Sequence, residues 1–195
     1  MIQPNFIELD WRVCRALELA EARPDARSSV TYAPLLKASL ENFRKMTEET
    51  DLTYTRWRSL RGEQMKAFRD LRIESDRTYA LCDEHGLDGY PSKRIIYTDE
   101  QELMDFTQGA IAYLQANTER WKWVSGAITR LETGRKAAAE LKREELAAYR
   151  TYTERAKDRI GAYDHLFGLF RDYLRDARGD LHTEPLYQEL RLVRG

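Results

Sequence analysis

The side chains best equipped for chemistry are few and scattered. His85, His165 and His182 are the only imidazoles, and Cys14 and Cys82 the only thiols. A di-iron bundle needs Glu three residues before an inward-facing His. Here Cys82, Ala162 and Gly179 hold those positions. The two cysteines show no metal or redox spacing and read as reduced, buried thiols. There is no Gly-x-Ser-x-Gly elbow and no phosphate-cradling glycine loop after a strand. The sequence therefore assigns no catalytic residue, no metal ligand and no cofactor.

One set of residue types could bind rather than react. Arg56, Arg58, Arg61, Arg120, Lys122 and Arg130 accompany Trp57, Trp121 and Trp123. Arginine forks suit carboxylate or phosphate, and tryptophan supplies stacking area or an interface anchor. Whether these residues meet depends on the elements that carry them.

Those elements are helices. Pro4, Pro24, Pro34, Pro91 and Pro185 stand only where a helix could begin or end, as the cost of about 3 kcal/mol for an interior proline requires. A first helix is expected from about Pro4 to Ala22, with Ile7, Trp11 and Cys14, and Phe6, Val13, Leu17 and Ala20, at helical spacing. A second runs over 30–85 with Pro34 in its first turn, and it stops at Gly86. Its apolar stripe includes Leu36, Leu40, Phe43, Trp57, Phe68 and Leu71.

After a loop over 86–97, Thr98 and Gln101 form a capping box. The stripe that follows, from Leu103 through Trp121, Leu131, Tyr149 and Phe167 to Leu174, keeps its phase to about residue 178. Five glycines interrupt it, and Gly134 is the place where it would kink or turn. A continuous or kinked helix is favoured there, since no Ser, Asp or Asn cap follows; a tight turn is the alternative. Gly161 and Gly168, one heptad apart, would admit a close neighbouring backbone. A short helix with Thr183 as N-cap and Pro185 in its first turn ends the chain, and its Leu186, Tyr187, Leu190 and Val193 could dock on a partner or on their own bundle.

The expected architecture is all-α: an elongated antiparallel bundle built on a helical hairpin, 30–85 against 98–178, with an N-terminal helix and a short C-terminal one. It reads as one domain over 1–195, comprising 1–29, the long-helix core 30–178 and the tail 179–195. In such a hairpin, facing residues have numbers summing to about 183. Glu41, Glu48, Glu49 and Asp51 then oppose Arg135, Lys136, Lys142 and Arg143. The same register gathers the arginines and tryptophans into a belt at mid-height. Aromatics beyond Tyr152 would overhang the second helix and call for a partner subunit.

Charged residues are 33% of the chain, yet the net charge is −1. That balance disfavours nucleic acid and provides no global attraction to anionic lipid. No run approaches the roughly 20 apolar residues of a membrane span, and the N-terminus does not read as a signal peptide, so the chain reads as cytoplasmic. The expected function is a non-catalytic structural or adaptor protein that self-associates and binds protein partners through helical surfaces. A peripheral binder of anionic membrane or polyanion using the Arg/Trp belt is the alternative. A bundle enzyme or cofactor carrier comes third.

Overall fold

The computed structural model describes residues 5–87, 89–91, 99–117, 119 and 121–192. Five helices account for nearly all of them: α1 (Phe6–Ala22), α2 (Arg27–Glu84), α3 (Glu100–Ala116), α4 (Lys122–Asp180) and α5 (Pro185–Leu192). The chain is an all-α bundle, with no strand among the described residues. At 58 residues α2 is about 87 Å long, and α4 has 59 residues.

The expected single helix after residue 98 is two helices, and Gly134 is not where they part. Asn117 caps the end of α3, its N–H donating to Leu114 O at 3.0 Å and its side-chain amide to Tyr113 O at 2.9 Å. Helix α4 then starts afresh, with Val124 N–H donating to Trp121 O at 3.1 Å. Leu114 and Trp121 lie one heptad apart, so the apolar phase survives the break and hides it. Gly134 is interior to α4 and serves packing. A Cβ built there would stand 3.2 Å from Leu71 Cδ1 on α2. Gly161 and Gly168 have no neighbour within 4 Å of such a Cβ, so the close backbone expected beside them is not supplied by the described residues.

The caps differ in detail too. Asp99 is the N-cap of α3, its Oδ1 accepting from Glu102 N–H at 2.7 Å. Thr98 lies outside the described residues, and Gln101 instead donates to Asp105 at 2.9 Å. Helix α2 begins earlier than expected because Asp180 accepts from both Ser28 N–H and Ser28 O–H at 3.0 Å. Pro34 therefore falls two turns inside α2 rather than in its first turn. Gly86 is the expected stop. It has φ +61°, with Gly86 N–H bonded to Asp83 O at 3.1 Å and Leu87 N–H to Cys82 O at 2.9 Å, the paired bonds of a Schellman motif. Helix α4 continues through Gly179 to Asp180, and α5 starts at Pro185 after Glu184, whose carbonyl accepts from Gln188 N–H at 3.2 Å.

The helices pack as two compact units, Met1–Tyr54 with Thr151–Gly195, and Thr55–Arg150. In the first, α1 lies antiparallel to the start of α2, with Phe6 against Phe43 and, toward the other end of α1, Glu21 sharing a groove with Lys37. The end of α4 covers both through Leu166, Phe170, Tyr173 and Ala177, all buried. Buried Leu9, Val13, Ala16 and Leu19 form the inner face of α1, whereas Ile7 and Trp11 point outward (84% and 43% exposed). Of the expected stripe, Val13 and Ala20 are buried and Phe6 and Leu17 pack on the core, so only Ile7 and Trp11 fall off it. In the second unit α3 runs parallel to α2: Glu100 meets Gln64, and Thr107 meets Ser75. It is antiparallel to α4, with Glu100 on Lys142 at 2.8 Å and Gln115 on Glu132 at 3.3 Å. Its core joins Cys82, Phe106, Ile111, Leu114, Val124 and Leu131.

Candidate partner-binding surfaces

The belt depends on register, and the register differs from the expected one. Across α2 and α4, Trp57 faces Glu145, Leu71 faces Gly134 and Glu74 faces Arg130. The inserted turn at Asn117 slides every basic residue of α4 along α2. Glu49 and Asp51, expected beside Arg135 and Lys142, reach Arg155 at 3.4 Å and Arg159 at 3.5 Å instead.

The belt therefore comes apart. Trp57 donates its indole N–H to Glu145 Oε1 at 2.6 Å and packs on Tyr149 with ring centroids 5.3 Å apart. Arg61 lies over the Trp57 ring at 5.6 Å, within the range of a cation–π contact. Arg56 and Arg58 are exposed on the same stretch of α2. Trp121 and Trp123 are elsewhere, stacked on His85 at 4.7 and 5.5 Å, which is 28 residues or about 42 Å further along. Arg130 is paired with Glu74, Lys122 is exposed at the start of α4, and Arg120 lies outside the described residues. Sequence reasoning grouped these residues by assuming an uninterrupted helix from 98 to 178.

The tail residues are settled more simply. Tyr187 and Leu190 are 4% and 2% exposed and belong to the first unit's own core, with Leu186 packed against it. Glu189 and Glu184 pair with Arg15 (2.9 Å) and Arg23 of α1 or its C-cap, fixing α5 in place. The docking face of α5 is turned inward, and Val193 lies outside the described residues.

What the sequence did not single out is a run of α2 and α4 that buries almost nothing. Between Thr50 and Gln64 no residue of α2 is buried, and none of α4 between Ala138 and Leu166. In the second unit α3 starts only at the level of Gln64 and Lys142. The paired helices before it carry Trp57, Leu146 and Tyr149. Leu146 and Tyr149 are each 45% exposed. In the first unit Tyr54 and Tyr152 pair at 5.4 Å beyond the reach of α1, and Leu52 and Ile160 are 64% and 45% exposed. The sequence carries tyrosine and tryptophan beside leucine there, at Tyr54, Trp57, Tyr149 and Tyr152.

The described residues contain no group of three or more His, Cys, Asp or Glu arranged to hold a metal ion. None of their helices is long and apolar enough to cross a membrane. Comparison with protein-family profiles, characterised proteins and solved structures finds no match to this chain.

Proposed function

We propose that this chain is a non-catalytic helical adaptor that self-associates and binds protein partners, acting in the cytoplasm. One observation carries the proposal: the Trp57–Leu146–Tyr149 surface, where α2 and α4 pair and leave Leu146 and Tyr149 each 45% exposed. Two helices cannot bury aromatic side chains on both flanks, and a further helix of a second copy would complete the packing. Tryptophan and tyrosine are also the residues enriched at the energetic centres of interfaces. Two free thiols fit a reducing compartment. The alternative, a polyanion binder built on the Arg/Trp belt, has less support, because its cations are not gathered in one place.

Light scattering coupled to size exclusion tests the proposal. The expected mass is a multiple of 22.9 kDa, and Tyr149→Ala together with Leu146→Ala shifts it toward a single chain. A single-chain mass at all concentrations, or an oligomer indifferent to both substitutions, would refute it.

A further inference from the structure

A second surface, unrelated to the one above, lies wholly within the first unit. Helix α4 presents Phe167, Phe170 and Leu174 to a groove of about 550 Å³, and α5 adds Tyr187 and Leu190. Phe170, Tyr187 and Leu190 form its buried floor, while Phe167 remains 43% exposed. The rim is made of arginine. Arg171, Arg175 and Arg178 stand at i, i+4 and i+7 along α4, with Arg191 of α5 and Arg12 of α1 completing it. The three on α4 span about 10 Å of helix.

No carboxylate lines the groove, although several stand behind it. Glu8 pairs with Arg12. Asp172 lies 3.9 Å from Arg171 and 3.3 Å from Arg175, and Asp176 lies 3.3 Å from Arg175. Arg178 and Arg191 have no ion pair among the described residues. The result is an apolar groove lined by arginines from α1, α4 and α5.

Charge and form select the occupant. A single small anion would need its donors converging on one point, whereas these are strung out in a row. A bilayer would need an apolar face that projects, and here Phe170, Tyr187 and Leu190 are buried. A helix with an apolar stripe flanked by carboxylates meets both conditions, as in helix-in-groove recognition and in the flanking charges of coiled coils. We propose that this groove binds an acidic amphipathic helix of a partner protein. Its apolar stripe would lie on Phe167 and Leu174, and its Asp and Glu residues would pair with Arg171, Arg175, Arg178 and Arg191.

The test is selection of a displayed library of helical peptides, unbiased in charge, on the immobilised full chain. Selected sequences are then synthesised and titrated by fluorescence anisotropy. The expected winners are acidic, with apolar residues at i, i+3 or i+4, and i+7. Replacing their Glu by Gln, or introducing Arg178→Glu with Arg191→Glu in the protein, should weaken binding about tenfold or more, and added salt should weaken it further. Circular dichroism must show an unchanged melt for the double variant; if the variant is unfolded, the milder Arg178→Gln replaces it. The proposal is overturned by neutral or basic winners, by binding indifferent to the rim arginines, or by no enrichment at all. It is equally overturned if phosphatidylserine vesicles, or a second copy of this chain, bind through the same arginines while acidic peptides do not. Because the variants leave Trp57, Leu146 and Tyr149 untouched, failure here leaves the oligomerisation result unaffected.

Discussion

Arg44 holds Asp10 through two bonds, Nε to Oδ2 at 2.6 Å and Nη2 to Oδ1 at 2.7 Å. That fork keeps the Asp10 carboxyl below its usual range, against a smaller opposing effect of burial. A carboxyl with a depressed folded-state pKa stabilises the protein above its unfolded pKa of about 3.9, and the contribution is lost as pH falls through the folded value. Asp10→Asn is expected to lower the melting temperature at pH 7, with the difference from the parent vanishing toward pH 2. The alkaline side works in the opposite sense. Burial pushes the Cys82 thiol up to about 11 and the Tyr173 hydroxyl up to about 12. Groups with raised folded-state pKa values contribute fully below their unfolded values and lose that contribution as pH rises through the folded ones. Stability should therefore fall between about pH 9 and 12, and Cys82→Ala combined with Tyr173→Phe should flatten that fall in a series of thermal melts. A parent melt indifferent to pH over this range would contradict both assignments.

At the scale of the elements, the glycines and Pro34 separate into different tests. Gly161 and Gly168 are helical and have open space around them. Alanine at either should raise stability by about 0.5–1 kcal/mol. Gly134→Ala has the same propensity gain but must displace Leu71 Cδ1 from 3.2 Å. It should yield less than the other two in chemical denaturation, and an equal gain would mean that Leu71 moves aside freely. Pro34, exposed in the third turn of α2, removes one helical hydrogen bond. Pro34→Ala should stabilise by about 1–3 kcal/mol. Asp180 works in the other direction. Asp180→Ala leaves Ser28 N–H and O–H, in a residue 1% exposed, without their acceptor, at a cost of about 1–3 kcal/mol.

These same elements show what was legible beforehand. Helical periodicity, the Gly86 stop and the charged, breaker-free stretches were sufficient for the all-α class and for the two long helices, because those signals are local. The turn at Asn117 was not legible, since two helices whose seams differ by one heptad look like one. That single omission propagated. It misplaced the α2–α4 register and wrongly gathered the Arg/Trp belt, whereas at Gly134 the favoured continuous helix is the one observed, with the glycine set against Leu71. The misplaced Ile7 and Trp11 of α1 have a similar origin: they satisfy the same spacing as Leu9 and the expected Val13, and only tertiary packing chooses between the two faces.

For the molecule as a whole, the division of the chain between the units has a consequence for the order of events during synthesis. Thr55–Arg150 is one uninterrupted segment, whereas the other unit joins Met1–Tyr54 to Thr151–Gly195. Segments of a chain fold as they emerge, N-terminal first, but here the earlier-made α1 and the start of α2 must wait. Their covering residues, Leu166, Phe170, Tyr173 and Leu190, are translated only after the whole of the nested segment. Until then Leu9, Val13, Leu36 and Phe43 have half a core, and a chain truncated after residue 150 should expose them to proteases while its inner segment is already protected. The topology has a counterpart for engineering. Tyr54 and Tyr152, at the two cut points, have their ring centroids 5.4 Å apart, so a short loop could splice residues 1–54 directly to 151–195 and make the late-closing unit contiguous.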